Sequence, residues 1–371
     1  MSRPPDRMFA PEMQIIPPKR DIARWLFCLC GFIALIVVVG GTTRLTDSGL
    51  SITEWQPVTG VIPPLDQPSW EAEFAKYKQI PEYTRINKGM SLAEFKRIYW
   101  WEWLHRLLGR TAGVLFLVPF LYFLWRKRFS TRDIPHMLTM FALGGAQGAL
   151  GWYMVKSGLV DRVDVSQYRL AAHLGTAFFL YGYIFWIALG YLHGSKVNRT
   201  QITVAGSGSL IWLSRLLCLL VFLQVLLGAL VAGLDAGLTY NSWPLMDGRW
   251  IPKGLWLETP AYLNLFENIT MVQFNHRVMA AIIALVALWS LLAGFRAHVP
   301  GRVKASILLT ACVVAGQFAL GIWTLIAVVP FKLAILHQLG ALLLLSVTLI
   351  QMRAVRQWRN GRALEPGTAP G

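Results

Sequence analysis

The sequence predicts an all-α polytopic membrane protein: eight transmembrane helices forming two parallel-repeat four-helix bundles, with both termini cytoplasmic. Three observations lead there. The chain is 55% hydrophobic and only 15% charged, with a mean hydropathy of +0.48, too apolar for a soluble globular protein of this length. Its basic excess gathers in alternate connections. A set of motifs recurs, in order, in the two halves.

A bilayer-spanning helix needs about 20 mostly apolar residues. Eight stretches qualify, at approximately 25–43, 103–125, 134–155, 170–192, 210–233, 275–295, 305–329 and 333–352. The first follows a polar tail and has no small-residue cleavage site, so it is expected to be a span and not a cleavable signal. The N-terminal tail, the even-numbered connections, the C-terminal tail and Arg215 hold 19 Lys/Arg against 5 Asp/Glu, and the remainder holds 16 against 14. The positive-inside rule makes the first group cytoplasmic. "WRKRFSTR" and "RAVRQWRNGR" are its clearest members. The net charge of +16 therefore reads as topology and contact with anionic lipid, not as a nucleic-acid surface. Cys28, Cys30, Cys218 and Cys312 all fall inside spans, which indicates no outer disulfide framework. Two positions apart on a helix, Cys28 and Cys30 point to different faces and make a poor metal pair.

The expected organisation is a cytoplasmic tail (1–24), an N-terminal bundle (25–195) with a large outer loop (44–101), a linker (196–209), a C-terminal bundle (210–352) and a second tail (353–371). Within the outer loop, "SWEAEFAKYKQI" and "SLAEFKRIYWWEW" are expected as short helices on the membrane surface, with Trp100, Trp101 and Trp103 at headgroup depth. The repeat ties the bundles together. "GGTTRLTDSGLSITEWQPVTGVIPP" corresponds to "GALVAGLDAGLTYNSWPLMDGRWIP", and "EWLHRLLGRTAG" to "QFNHRVMAAIIA". "GGAQGALGWYMV" corresponds to "VAGQFALGIWTL", and "RLAAHLGTAFFL" to "LAILHQLGALLL". The offsets are 188, 171, 170 and 164 residues, so order is kept while loop lengths drift. Four spans per unit, an even number, make the repeats parallel.

Of the seven histidines, His136, His193 and His298 fall in or near inner connections. His105, His173, His276 and His337 are paired by the repeat, each near the start of an even-numbered span that enters from the outer side. Intramembrane polar groups are costly and usually functional. Imidazole suits iron, copper and zinc, and no acid or cysteine recurs beside these pairs. Two neutral imidazoles among apolar residues favour a tetrapyrrole held axially, against the plainer role of hydrogen-bonded helix histidines. Gly109, Gly113, Gly144, Gly145, Gly148, Gly151, Gly316, Gly321 and Gly340 would let a flat macrocycle approach backbone, or simply serve helix packing. Spacing leaves open whether the histidines pair within or across bundles. Arg106, Arg277 and Arg44 are placed to meet haem propionates or to snorkel to water.

Glu102 precedes His105 by three residues and shares its helix face. It also makes an ordinary i,i+4 pair with Arg106. Gln273 stands at the matching place in the second unit. Glutamine keeps the shape but gives up the charge and the proton chemistry, so only the first unit has a carboxylate able to stabilise positive charge or take a proton. One reacting haem and one resident haem would explain the difference.

The duplicated unit, "EWLHRLLGR", the second "NHR", and "GGTTRLTDSGLSITEWQPVTGVIPP" together resemble the haem A synthase family of proteobacterial and mitochondrial type. The likeness covers almost the whole chain. Members of another branch carry a cysteine pair in the first outer loop, which this sequence lacks. The resemblance implies oxidation of a ring methyl of farnesylated haem O to a formyl group, by successive hydroxylations with water-derived oxygen, to give haem A for cytochrome oxidase. It implies haem b on His276 and His337, haem O between His105 and His173, and Glu102 beside the reacting methyl as charge stabiliser or base. It also implies a bacterial inner membrane location with the haem sites toward the periplasm, an electron acceptor of unspecified class, and contact with membrane lipid. Direct handover from a haem O synthase and homo-oligomerisation are compatible with it; nucleic acid is not an expected partner. The principal rival is a di-haem b electron-transfer cytochrome, quinone-linked and without haem-modifying activity. A transporter of parallel repeats would need charges near the midplane, and few are present.

Overall fold

The computed structural model describes residues 14–16, 18–161, 163–197 and 207–362. Most of the expected 1–24 tail and 196–209 linker, and the end of the 353–371 tail, lie outside them. Among the described residues the long elements are all helices: α1 (Arg20–Leu45), then after the short α2 (Gln67–Tyr77) and α3 (Pro81–Arg85) come α4 (Leu92–Trp125), α5 (Ile134–Asp161), α6 (Gln167–His193), α7 (Ser207–Gly233), α8 (Ile269–Arg296), α9 (Gly301–Ile326) and α10 (Phe331–Arg362). Seven of them are long and apolar enough to cross a membrane. The long helix outside that set is α5, whose apolar run is diluted by Gly144, Gly145, Gln147, Gly148 and Gly151. One element was not expected: a small antiparallel ribbon joins β1 (Gln14–Ile16) to β2 (Ser195–Val197).

The second amphipathic segment of the outer loop is not a separate surface helix, which corrects the sequence expectation. It is the first third of α4. Ser91 and Glu94 form a reciprocal capping box that starts the helix, and no breaker separates Trp101 from the apolar run. The result is a 34-residue helix, about 51 Å long at 1.5 Å per residue, against a hydrocarbon core of about 30 Å. His105 therefore lies not in the first turns of its helix but thirteen residues beyond Leu92, where α4 meets the membrane. The first segment is α2, capped by Asp66, which accepts from the Ser69 amide at 2.9 Å. It docks on α4 through Trp70, Phe74 and Tyr77 packed against Phe95 and Tyr99. Lower in α4, Pro119 cannot bond the Leu115 carbonyl four residues back, and the Trp25 indole donates to that carbonyl at 2.9 Å. An orphan acceptor is satisfied where no water is at hand.

Helices α1, α6, α7 and α10 share the central core. Side-chain hydrogen bonds join the two halves across it: Tyr181 Oη to Ser346 Oγ at 2.8 Å, and Gln338 Nε2 to the Val37 carbonyl at 3.2 Å. At one end, Lys19 pairs with Asp133 at 2.6 Å, Tyr191 donates to Asp133 at 2.7 Å, and Arg128 pairs with Asp21 at 2.7 Å. The start of α1, the α4–α5 connection and the end of α6 thus lie on a common face. Burial pushes the Asp133 carboxyl up, but hydrogen bonds from Lys19, the Ser130 amide and Tyr191 outweigh it and hold it at about 2. Cys28 is exposed and Cys30 buried, so the two do face differently.

Candidate functional site

At the opposite face the segments after α1 and α7 fold back over the helix entrances, and the same residues pin both. Arg106 donates through Nη2 to the Ile52 carbonyl at 2.8 Å and through Nη1 to the Glu54 carbonyl at 2.9 Å. Arg277 donates to the Tyr240 and Ser242 carbonyls at 2.6 and 2.9 Å. Those acceptors lie 188 residues beyond their counterparts, matching the loop offset. Arg44, at the end of α1, bonds Asp47 at 2.9 Å and Asp235 at 2.9 Å. These two aspartates are themselves 188 residues apart and share a left-handed backbone, with φ 47° and 50°. The three arginines expected near propionates are thus bound to loop backbone or to aspartates. One donor stays free on Arg277, whose buried Nε has no partner.

Glu102 and Gln273 pin these loops with opposite polarity. Both Glu102 oxygens accept: Oε1 from Arg106 at 2.6 and 3.0 Å, Oε2 from the Ser51 hydroxyl and the Ile52 amide, each at 2.7 Å. Gln273 instead donates through Nε2 to the Ala236 and Thr239 carbonyls at 2.7 and 2.6 Å, and its Oε1 accepts from Arg277 at 3.0 Å. Each side chain suits its own loop, and neither can replace the other without a donor meeting a donor or an acceptor meeting an acceptor.

The four histidines sit deeper, each pressed on a glycine of the preceding helix. A Cβ at Gly40 would meet the His105 ring at 2.8 Å, at Gly151 the His173 ring at 3.0 Å, at Gly228 the His276 ring at 3.2 Å, and at Gly321 the His337 ring at 2.9 Å. Glycine is what lets each imidazole lie against backbone. His105 is within electrostatic reach of His173, and His276 of His337, so the neighbours are within units and not across them. Beside three of the rings stands a glutamine four residues before the glycine. Gln147, Gln224 and Gln317 donate to the main-chain carbonyls of His173, His276 and His337 at 3.0, 3.0 and 2.8 Å, and lie within 3.2–3.4 Å of a ring nitrogen. At His105 the corresponding residue is Ile36.

Do these residues fit a haem? Nδ1 of His105 and of His276 is buried without a partner, as expected of rings whose task is not structural bonding. Among the described residues no three His, Cys, Asp or Glu side chains gather into a metal cluster. A pair of imidazoles cannot complete a four-ligand protein site, but it suits a tetrapyrrole, which brings its own four nitrogens. The units differ in room. Cβ atoms added at Gly109, Gly113, Gly144, Gly145 or Gly148 would meet nothing within 4 Å. The corresponding residues of the second unit are Ala280, Ala284, Val314, Ala315 and Phe318, and Val314 is buried in the core. Helices α4 and α5 therefore border an open cleft that side chains occupy in α8 and α9.

Residues 23–349 match the family described as cytochrome oxidase assembly protein. The chain is 49% identical over 331 residues to the haem A synthase of Nitrosospira multiformis, covering 89% of this chain and 92% of that one. It is 47% identical over 355 residues to that of a Chelativorans species, covering 94% and 96%, and 46% identical over 343 residues to that of Rhizobium meliloti, covering 92% and 90%. The chain belongs to the haem A synthase family. For a haem A synthase, the residues that sequence reasoning passed over are the three glutamines, Ile36, and Arg169, one turn before His173, with a buried unpartnered Nη1 and its guanidinium 5.0 Å from the Tyr153 ring. Their signal was present: "QGALG", "QVLLG" and "QFALG" recur in odd-numbered helices, with "IVVVG" in the first.

Proposed function

We infer that this enzyme oxidises haem O to haem A, with the substrate porphyrin gripped by His105 and His173 and a resident haem b by His276 and His337. The observation that carries the assignment is the pair of glycine-backed imidazole couples with a carboxylate near only one of them. Overall, one ring methyl and one water become a formyl group, releasing four electrons and four protons. Bound haem b supplies a redox centre through which those electrons can leave.

The chain's own residues do the positioning. Glu102 is a buried negative charge fixed by four donors, and a fixed charge aimed at a carbon that becomes electron-poor lowers the barrier without reorganising. To act as a base it would first have to release a donor, so charge stabilisation is its better role. Arg106 holds that carboxylate and the loop above it, and Arg277 does the same for the second unit without a charge partner. The unpartnered donors of Arg277 and Arg169 suit propionates, while Arg44 ties the two units at their rim. The setting is an eight-span, two-bundle protein of parallel repeats (25–195 and 210–352), with cytoplasmic termini and haem sites toward the periplasm of the bacterial inner membrane. The basic inner connections and the shared face of Lys19, Asp133 and Tyr191 support that orientation. Direct transfer from a haem O synthase suits a substrate this apolar.

The test is pigment extraction from cells that make haem O but lack their own synthase. Haem A is expected only when this protein is present. Its absence beside protein that still binds haem b would favour a fixed di-haem cytochrome.

A further inference from the structure

Odd-numbered helices present a glutamine and, four residues on, a glycine to the histidine of the next span. The pair is Gln147 and Gly151 on α5, Gln224 and Gly228 on α7, Gln317 and Gly321 on α9. On α1 the glycine is kept, at Gly40, but the glutamine is Ile36. The consequence is chemical. An imidazole bound to iron through one nitrogen must donate the N–H on the other, and an acceptor for it fixes the ring and makes it a stronger ligand. A glutamine carries both amide hydrogens and a carbonyl oxygen and can turn either toward the ring. The Oε1 atoms of Gln147 and Gln224 are buried and unpartnered, ready to accept. Isoleucine offers hydrocarbon. The polar atom that α1 brings to His105 is the Ile36 carbonyl, already engaged in the helix's own ladder, and Nδ1 of His105 makes no hydrogen bond.

Resting on the assignment of two haem sites above, we propose that Ile36 makes His105 the releasable axial ligand of the substrate haem, while His173 keeps hold through Gln147. A resident cofactor needs two locked ligands, and His276 and His337 each have a glutamine. A substrate must leave on every turnover, and the ligand without the lock is on α4, one wall of the glycine-lined cleft beside α5. The loosened ligand and the open side thus coincide.

The test is haem transfer from purified, haem O-loaded full-length protein to excess apomyoglobin, followed by absorbance. Wild type is expected to show a fast phase, abolished by His105→Ala, and a slow phase from the second site. Losing such a partner costs about 10–100-fold in affinity. Ile36→Gln should slow the fast phase by about that factor and leave the slow phase alone, and Gln224→Ile should speed the slow phase comparably. A fast phase at the wild-type rate in Ile36→Gln, with its slow phase intact, overturns the proposal. Should Ile36→Gln fail to fold, an unchanged slow phase in Gln224→Ile overturns it instead. A wild-type preparation that binds no haem would bring down the two-haem assignment itself, a distinguishable result.

Discussion

Replacing Glu102 by glutamine separates its charge from its shape. The carboxylate takes two bonds from Arg106, at 2.6 and 3.0 Å, and one each from Ser51 and the Ile52 amide at 2.7 Å. A glutamine can accept on one side only, so its amide group must face either a guanidinium or a backbone N–H. Breaking one partner of a buried ion pair costs about 3–5 kcal/mol. The loss here should fall toward or below the lower end, because Arg106 keeps its bonds to the Ile52 and Glu54 carbonyls, and Gln273 with Arg277 shows that glutamine accepts from such an arginine at 3.0 Å. We expect about 2–3 kcal/mol less stability in the loop, read as faster hydrogen exchange at the Ile52 amide. Losing the preorganised charge should slow oxidation by about 10²–10³-fold, on the scale of a lost oxyanion-hole donor. Chromatography of extracted haems would show haem O or a partly oxidised product accumulating, with the resident haem spectrum unchanged. Conversion at the wild-type rate in a folded Glu102→Gln protein would refute the charge role. The reciprocal Gln273→Glu would set an anion against the Ala236 and Thr239 carbonyls and is expected to destabilise the second loop without new activity.

Two further outcomes follow from the geometry. Gly148→Phe, copying the residue at 318, should fill the α4–α5 cleft and abolish haem O conversion while resident haem is kept; normal conversion would mean that the cleft is not used. Glu82 is buried, with Tyr77 and Asn87 donating to it at 3.0 and 3.3 Å, and burial pushes its carboxyl up to about 8 from 4.5. The folded outer loop therefore keeps a proton that the unfolded chain has released across that interval. Its stabilising contribution is complete below pH 4.5 and is lost as pH rises to about 8. Thermal unfolding followed by Trp70 fluorescence should lose stability over that window in wild type and much less in Glu82→Gln; parallel profiles would contradict the assignment.

Much of this was legible in the sequence because apolar length and repeat spacing carry directly into structure. The long helices, the within-unit histidine neighbours made possible by the repeat, and the Glu102/Gln273 difference all arise that way. The continuity of α4 was missed because the surface-helix pattern of residues 91–103 and its capping box are equally compatible with a helix that simply continues. The tasks of Arg106 and Arg277 were hidden for a different reason: their partners are main-chain carbonyls at 52, 54, 240 and 242, which leave no side-chain signature. The glutamine series could be read from "QGALG" and its relatives, but a polar residue in a membrane helix looks the same whether it bonds a neighbouring helix or braces a ligand. Open space at Gly144, Gly145 and Gly148 is a property of packing alone.

The most direct measurement is the absorption spectrum of the purified protein and of its four histidine-to-alanine variants. His276→Ala and His337→Ala should each lose the resident haem signal. His105→Ala and His173→Ala should keep that signal but make no haem A. A resident signal that survives in His276→Ala and His337→Ala, or vanishes in His105→Ala, would contradict two separate imidazole couples.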